Sequence, residues 1–244
     1  MYRARECATL SNPDFSYRNY RIQMSSTPTP YPVNLLLADQ PVLVVGGGPV
    51  AARKVEALLR AGARVTVVAP AAASAIAERS GVTWLRRRYQ PPEAGSYRLV
   101  VTATSDPAVN ARVAADCEAA NVFVNSADDP ANCTFTLPSV ARRGDLQVAV
   151  STGGQSPALA RWLRQRIERE VDSGYAALLE LLAETRAEAK AAFGTSEAPG
   201  WGAALDGGLL ELVRVGRVDE ARSLLRGHLG LHAPKNASTE ALAS

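Results

Sequence analysis

Short apolar runs alternate with longer segments of mixed polarity from Val42 onward, and the alternation is regular enough to predict elements. Val42-Leu43-Val44-Val45 is a continuous apolar run stopped by Gly46-Gly47-Gly48, the pattern of a strand buried on both faces. Residues 49–61 follow with Val50, Lys54, Ala57 and Leu58 at helical spacing, and Gly62 ends them. The same reading gives a strand at 65–68 closed by Pro70, a helix at 71–79 and strands at 82–85 and 99–103. A helix at 109–120 and a strand at 122–124, ending at Asn125, complete the series. Such strand–helix alternation predicts an α/β fold, a Rossmann-like doubly wound parallel sheet with helices on both faces.

The pattern changes after Pro138. Residues 146–151 alternate as a strand, Thr152-Gly153-Gly154 makes a turn, and Ser156 with Pro157 forms an N-cap and first helical position for a helix to about 171. Further helices are predicted over 175–193 and 205–229, separated by a Gly/Pro/Ser stretch. Neither the strand at 146–151 nor the helix at 157–170 has an obvious partner within the first domain. A half-paired strand leaves backbone groups unsatisfied, so a homodimer is predicted. The resulting domain plan is a disordered N-terminal extension (1–31), a Rossmann domain (32–137), a small α+β dimerisation segment (138–170), a helical C-terminal domain (171–232) and a tail (233–244). Within the extension, Met24 offers a second start. Arg3, Arg5, Arg18 and Arg21 against Glu6 and Asp14 leave an amphipathic presequence as the other reading.

Composition narrows the classes. The 244 residues are 47% hydrophobic and 21% charged, which fits a globular chain rather than a coiled coil or a disordered one. No apolar run approaches the ~20 residues that span a bilayer, so no membrane partner is predicted. Cys7, Cys117 and Cys133 form no close pair, which points to a reducing, cytoplasmic setting rather than a disulfide scaffold. The two histidines, His228 and His232, lie far along the chain, and no metal site is predicted. Net charge is +3, but residues 138–170 carry six basic and three acidic side chains. That local excess suits a polyanionic small molecule and is too small for nucleic acid.

Three motifs carry candidate chemistry. Gly46-Gly47-Gly48-Pro49-Val50-Ala51 stands between a strand and a helix with GxGxxA spacing. There Gly46 allows the tight turn, Gly48 lets a pyrophosphate approach, Ala51 permits close helix–strand packing and the helix N-terminus attracts phosphate. A ligand-free glycine turn is the plain alternative. Neither a carboxylate nor a basic residue occupies the second-strand tip, Val68-Ala69-Pro70-Ala71, so the residues alone leave NAD and NADP both open. The second motif, Asn125-Ser126-Ala127-Asp128-Asp129-Pro130, puts carboxylates past a strand end, as a general base or as an Asx turn. The third, Ser151-Thr152-Gly153-Gly154-Gln155-Ser156-Pro157 with Arg161 beyond it, is a second anion-friendly helix start, or an amphipathic helix with solvated arginines.

Together with Tyr31-Pro32-Val33-Asn34-Leu35, VTVVAP (65–70) and TATSDPAVN (102–110), these motifs resemble the precorrin-2 dehydrogenase / sirohydrochlorin ferrochelatase family, the N-terminal module of siroheme synthases, over about residues 31–170. The resemblance implies NAD as cofactor, bound by Gly46, Gly48, Pro49 and Val50, with Ala69, Pro70 and Thr104 lining it. It implies Asp128 as the catalytic carboxylate. It also implies Asn125, Ser151, Thr152, Gly153, Ser156 and Arg161 as substrate-binding residues, and an interlocked homodimer through 138–170. The implied reaction oxidises precorrin-2 to sirohydrochlorin. Fe²⁺ insertion is a possible second step in which iron is a substrate and no protein-held cluster is needed. The alternatives are a non-catalytic dinucleotide-sensing module, which needs neither Asn125 and Asp128 nor 151–157, and a tetrapyrrole-binding scaffold without catalysis. The chain beyond 170 is shorter than the methyltransferase domain fused to some relatives.

Overall fold

The computed structural model describes residues 30–127 and 129–231. The predictions for the extension before residue 30, for the tail, for His232 and for Asp128 itself lie outside the described residues. Contacts divide the chain after Val33, and every element below belongs to the unit that starts at Asn34.

Five parallel strands form the main sheet: β1 (Pro41–Val45), β2 (Arg64–Val68), β3 (Val82–Leu85), β4 (Leu99–Thr102) and β5 (Phe123–Ser126), in the order β3-β2-β1-β4-β5. Helices α1 (Pro49–Arg60), α2 (Ser74–Ala77) and α3 (Pro107–Ala119) make three of the four crossovers, and the one from β3 to β4 carries only a 3-10 turn (Glu93–Ser96). The continuous apolar strands are explained by a two-sided core. Val42 and Val44 pack with Ala51, Val55 and Leu58 of α1 and Ile76 of α2. Leu43 and Val45 face the other way, against Val113 and Cys117 of α3 and Val124 of β5. Residues 42–45 are at most 2% exposed. Each such side chain contributes ~1.5–3 kcal/mol by leaving water, so β1 is the mechanical centre of the sheet. The thiol of Cys117 is pushed up to about 11 by burial and then by the charge of Asp116, which makes it packing material rather than a nucleophile.

Several boundaries differ from expectation, and three have a visible cause or partner. The predicted helix over 71–79 shrinks to α2, because Ala71–Ala73 form a connection pinned on the glycine turn, with Ala73 N–H donating to Gly47 O at 2.8 Å. Helix α3 starts at Pro107, two residues before the predicted start, since Asp106 caps it by accepting from Ala108 and Val109 N–H. Strand β5 begins one residue later than predicted and runs on to Ser126, paired with Thr102.

A second, two-stranded antiparallel sheet joins β6 (Ser139–Arg143) to β7 (Leu146–Val150). The strand indeed pairs with nothing in the first domain, but it is not left half-paired as expected: β6, in its own segment, supplies a partner across a Gly144-Asp145 hairpin turn, with Gly144 at φ +54°. Helix α4 (Pro157–Glu170) packs on the hairpin, and Arg143 Nη2 donates to Glu168 O at 2.7 Å near its C-terminal end. Leu159 and Trp162 of α4 remain 47% and 50% exposed.

The remaining helices share a separate core. Leu178 and Leu181 of α5 (Ser173–Phe193) meet Ala204 of α6 (Trp201–Asp206), Leu209 and Val213 of α7 (Leu209–Arg214), and Ala221 and Leu225 of α8 (Val218–His228). The predicted single helix over 205–229 is therefore three. Gly208, at φ +91°, adopts a left-handed conformation that no continuing helix allows, and the chain turns again at Gly216.

Candidate functional site

The strand order reverses between β1 and β4, and a cleft opens at their carboxyl ends, where doubly wound sheets bind ligands. Its volume is about 640 Å³, within the usual range for small-molecule sites. Gly46, Gly48, Pro49 and Val50 from the β1–α1 turn line it, as do Ala69 and Pro70 past β2 and Thr104 past β4. Every residue expected to hold the dinucleotide thus converges on one cavity.

The glycines have separate reasons to be there. Gly46 sits at φ +122°, and a Cβ on it would lie 2.4 Å from Ala103 O. At Gly47 a Cβ would come within 2.0 Å of Ala71 O, so the turn is wedged between the β4 and β2 tips. Gly48 is different: nothing lies within 4 Å of the position a Cβ would take. The protein's own packing does not require glycine there, whereas a group approaching the N-terminus of α1 does. That helix has no side-chain cap and no acidic residue in its first turn, so its free N–H groups are left for an anion. These features fit a dinucleotide pyrophosphate.

The β4 and β5 tips are built for rigidity. Thr104 Oγ1 meets Asn110 Oδ1 at 2.8 Å, and the buried Asn110 returns a bond from Nδ2 to Thr104 O at 3.2 Å. One strand over, Thr102 Oγ1 lies 2.9 Å from Ser126 Oγ in a buried contact. Beyond β5, Ala127 N–H donates to Thr102 O at 2.8 Å, and Ala127 lines the cleft. Asp129 turns the other way in its role, accepting from Asn132 Nδ2 at 2.6 Å at the start of a single 3-10 turn, Pro130–Asn132. Asp129 thus supports the turn through Asn132, by a bond between side chains rather than the backbone bond of an Asx turn. Cys133 Sγ accepts from Ser126 N–H at 3.2 Å and lies 3.3 Å from the carbonyls of Ser126 and Asp129, closing the loop on itself.

None of the residues expected to touch substrate lines this cavity. Asn125 is buried and its Nδ2 donates to Phe135 O at 3.1 Å, which places it in the support of the loop rather than on the cleft wall. Ser151 Oγ accepts from Gly153 N–H at 3.3 Å, and Thr152 Oγ1 bridges Ser156 N–H and O at 3.1 Å. Ser156 Oγ caps α4 by accepting from Leu159 N–H, and Arg161 is exposed on that helix. None of these residues from 151 to 161 is among those lining the cleft of their own chain.

Sequence reasoning missed the contribution of the β3 end. Arg88 and Tyr89 line the cleft, together with Ser105, Asp106 and Val109 after β4. Tyr89 is locked by its hydroxyl, which donates to Asp116 Oδ2 at 2.6 Å and accepts from Ala94 N–H at 3.3 Å. Burial, then the bond to Asp116, push the Tyr89 phenol above its ordinary value. Arg87 grips Glu93 with a fork of 2.8 and 2.6 Å. Burial opposes the charge on Glu93, but that fork and Gln90 N–H outweigh it and hold the carboxyl below the usual range. The signal that could have found this segment is the run Arg86-Arg87-Arg88-Tyr89 directly after a strand carboxyl end.

Comparison with known proteins agrees with this geometry. Residues 33–139 match a family described as putative NAD(P)-binding, and residues 143–170 match the central region of the sirohaem biosynthesis protein. A siroheme synthase of Thioalkalivibrio sulfidiphilus is 42% identical over 200 residues, covering 80% of this chain and 41% of that protein. One from Methylococcus capsulatus is 41% identical over 199 residues, covering 80% and 42%. The chain thus spans about two fifths of the length of these curated relatives. The solved structure of SirC, a precorrin-2 dehydrogenase, superposes with a TM-score of 0.59 at 26% identity, covering 82% of this chain and 98% of that one. The chain belongs to the family of precorrin-2 dehydrogenases and siroheme-synthase N-terminal modules.

Proposed function

We propose that this chain oxidises precorrin-2 to sirohydrochlorin with NAD as the acceptor. The observation that carries the reading is the cleft at the β1/β4 switch point, where the glycine turn meets Ala127, the residue directly before Asp128. NAD supplies the hydride acceptor. Gly48 and the open N-terminus of α1 seat its pyrophosphate, and the pinned tips at Thr104 and Ala127 wall the other side. The substrate loses a hydride and a proton, and Asp128 takes the proton as general base. Asp129 is held to Asn132 and supports the turn.

Segment 138–170 belongs to the assembly in this reading. Leu159 and Trp162 on α4 supply the apolar part of a homodimer interface, and Ser151, Thr152, Gly153, Ser156 and Arg161 present anion-friendly groups to the carboxylates of a substrate held by the second copy. Residues 32–137 serve the cofactor and 171–232 form a helical domain. Its setting is the cytoplasm. Fe²⁺ insertion would be a second activity of the same site, with iron as a substrate and Asp128 receiving macrocycle protons.

An anaerobic assay with purified protein, precorrin-2 and NAD, followed by addition of Fe²⁺, tests this. NADH and sirohydrochlorin are expected in equal amounts, with a further spectral change on adding iron if the chain also chelates. Tight NAD binding without NADH formation would instead make the chain a dinucleotide-sensing module.

A further inference from the structure

We propose that Arg88 forms a second anion subsite in the cleft, placed for the 2′-phosphate of an NADP-type dinucleotide, so that the chain accepts NADP as well as NAD. The inference rests on the reading of the cleft as a dinucleotide site and adds the group that sets its cofactor preference.

Three guanidinium groups follow β3, and two are already engaged. Arg86 lies 4.3 Å over the Trp84 ring, and Arg87 is forked to Glu93. Arg88 is exposed, lines the cleft and has no ion pair or side-chain hydrogen bond among the described residues. The backbone around it is fixed. Arg87 N–H donates to Leu85 O at 2.8 Å, Arg88 O accepts from Arg87 Nη1 at 3.1 Å, and Tyr89 is anchored to Asp116 and Ala94. The fixed backbone spares the cost of ordering a loop, so that only the rotamer freedom of the Arg88 side chain is lost when it meets an anion.

Its place in the sheet selects which anion. Arg88 follows β3, two strands from β1, so it stands ~10 Å to the side of the pyrophosphate turn at the usual strand spacing. Between them is the β2 tip, where dinucleotide sheets read the adenosine ribose. The β2 and β3 tips are fastened together, with Trp84 Nε1 donating to Ala69 O at 3.0 Å and Ala69 N–H to Leu85 O at 3.2 Å. Ala69, Pro70 and Ala71 offer no carboxylate to bind a 2′-hydroxyl or to repel a 2′-phosphate. Asp106, the acidic residue among those lining the cleft, stands after β4 and is turned into the cap of α3. The ribose side is therefore left with one positive charge and no opposing one.

The test is titration of the full chain with NAD and with NADP, using wild type, Arg88→Ala and Arg88→Lys. Wild type should bind NADP within ~10-fold of NAD. Arg88→Ala should shift the NADP-to-NAD affinity ratio ~10- to 100-fold toward NAD, the range for a charge-assisted bond to phosphate, and Arg88→Lys should recover part of it. An unchanged ratio in Arg88→Ala overturns the proposal, whether both affinities fall together or neither moves. So does a wild type that binds NAD but not NADP. Failure of wild type to bind either dinucleotide would instead overturn the cleft reading beneath it.

Discussion

The parallel sheet and the segment from β6 to α4 handle binding groups in opposite ways. In the sheet, functional positions are mostly backbone: glycines, strand tips and a free helix N-terminus, brought to one cavity by topology within a single copy. In the 139–170 segment they are side chains bonded to their own turn, as with Ser151 to Gly153 and Ser156 to Leu159, on a hairpin–helix unit with Trp162 exposed. The first region is a finished site. In the proposed reading the second is half of one, since none of its residues from 151 to 161 lines the cleft of its own chain.

The largest effect is expected at Asp128, the proposed general base. Asp128→Ala should lower precorrin-2 oxidation by ~10²–10⁴, the range for a positioned base, while NAD titration stays near wild type. Asp129→Ala removes a turn bond to Asn132 and should keep most activity. An active Asp128→Ala beside an inactive Asp129→Ala would reverse the assignment. Next comes Gly48→Asp, which fills the open space at the α1 N-terminus with a negative charge. NAD affinity should fall by at least ~100-fold with the circular dichroism spectrum intact, since no protein atom lies within 4 Å of the added Cβ. Trp162→Glu acts only on the second region. Light scattering at micromolar concentration should show a monomer that still binds NAD.

The smallest effect concerns the frame of the cleft. Tyr89→Phe removes the bond to Asp116 and should cost ~1 kcal/mol in denaturant unfolding. The phenol's folded pKa is raised, so its contribution is fully present below the unfolded value near ~10 and is lost as pH rises beyond it. Wild-type stability should therefore decline above about pH 10 more steeply than that of Tyr89→Phe.

The core of the sheet was legible because β1 and β4 alternate between two buried faces, which only a covered parallel sheet produces. The glycine turn was legible from its position between strand and helix. What escaped was local. β6 lay hidden because Ser139, Arg142 and Arg143 break the apolar run, although Gly144-Asp145 marks the hairpin. The division of 205–229 into three helices depends on the left-handed Gly208, which periodicity does not register. Arg88 as a cleft residue escaped because strand order alone points to the β2 tip, whereas β3, paired with β2, reaches the same wall.

Subunit mixing tests the two-region account most directly. Gly48→Asp copies keep an intact 151–161 segment, and Arg161→Glu copies keep an intact cofactor turn. Each variant alone should be inactive in precorrin-2 oxidation. Exchanged at equal amounts, they should regain about a quarter of wild-type activity, because half of the dimers are mixed and each mixed dimer holds one complete site. A mixture as inactive as its components would mean that cleft and segment serve the substrate within one copy, which would contradict the account.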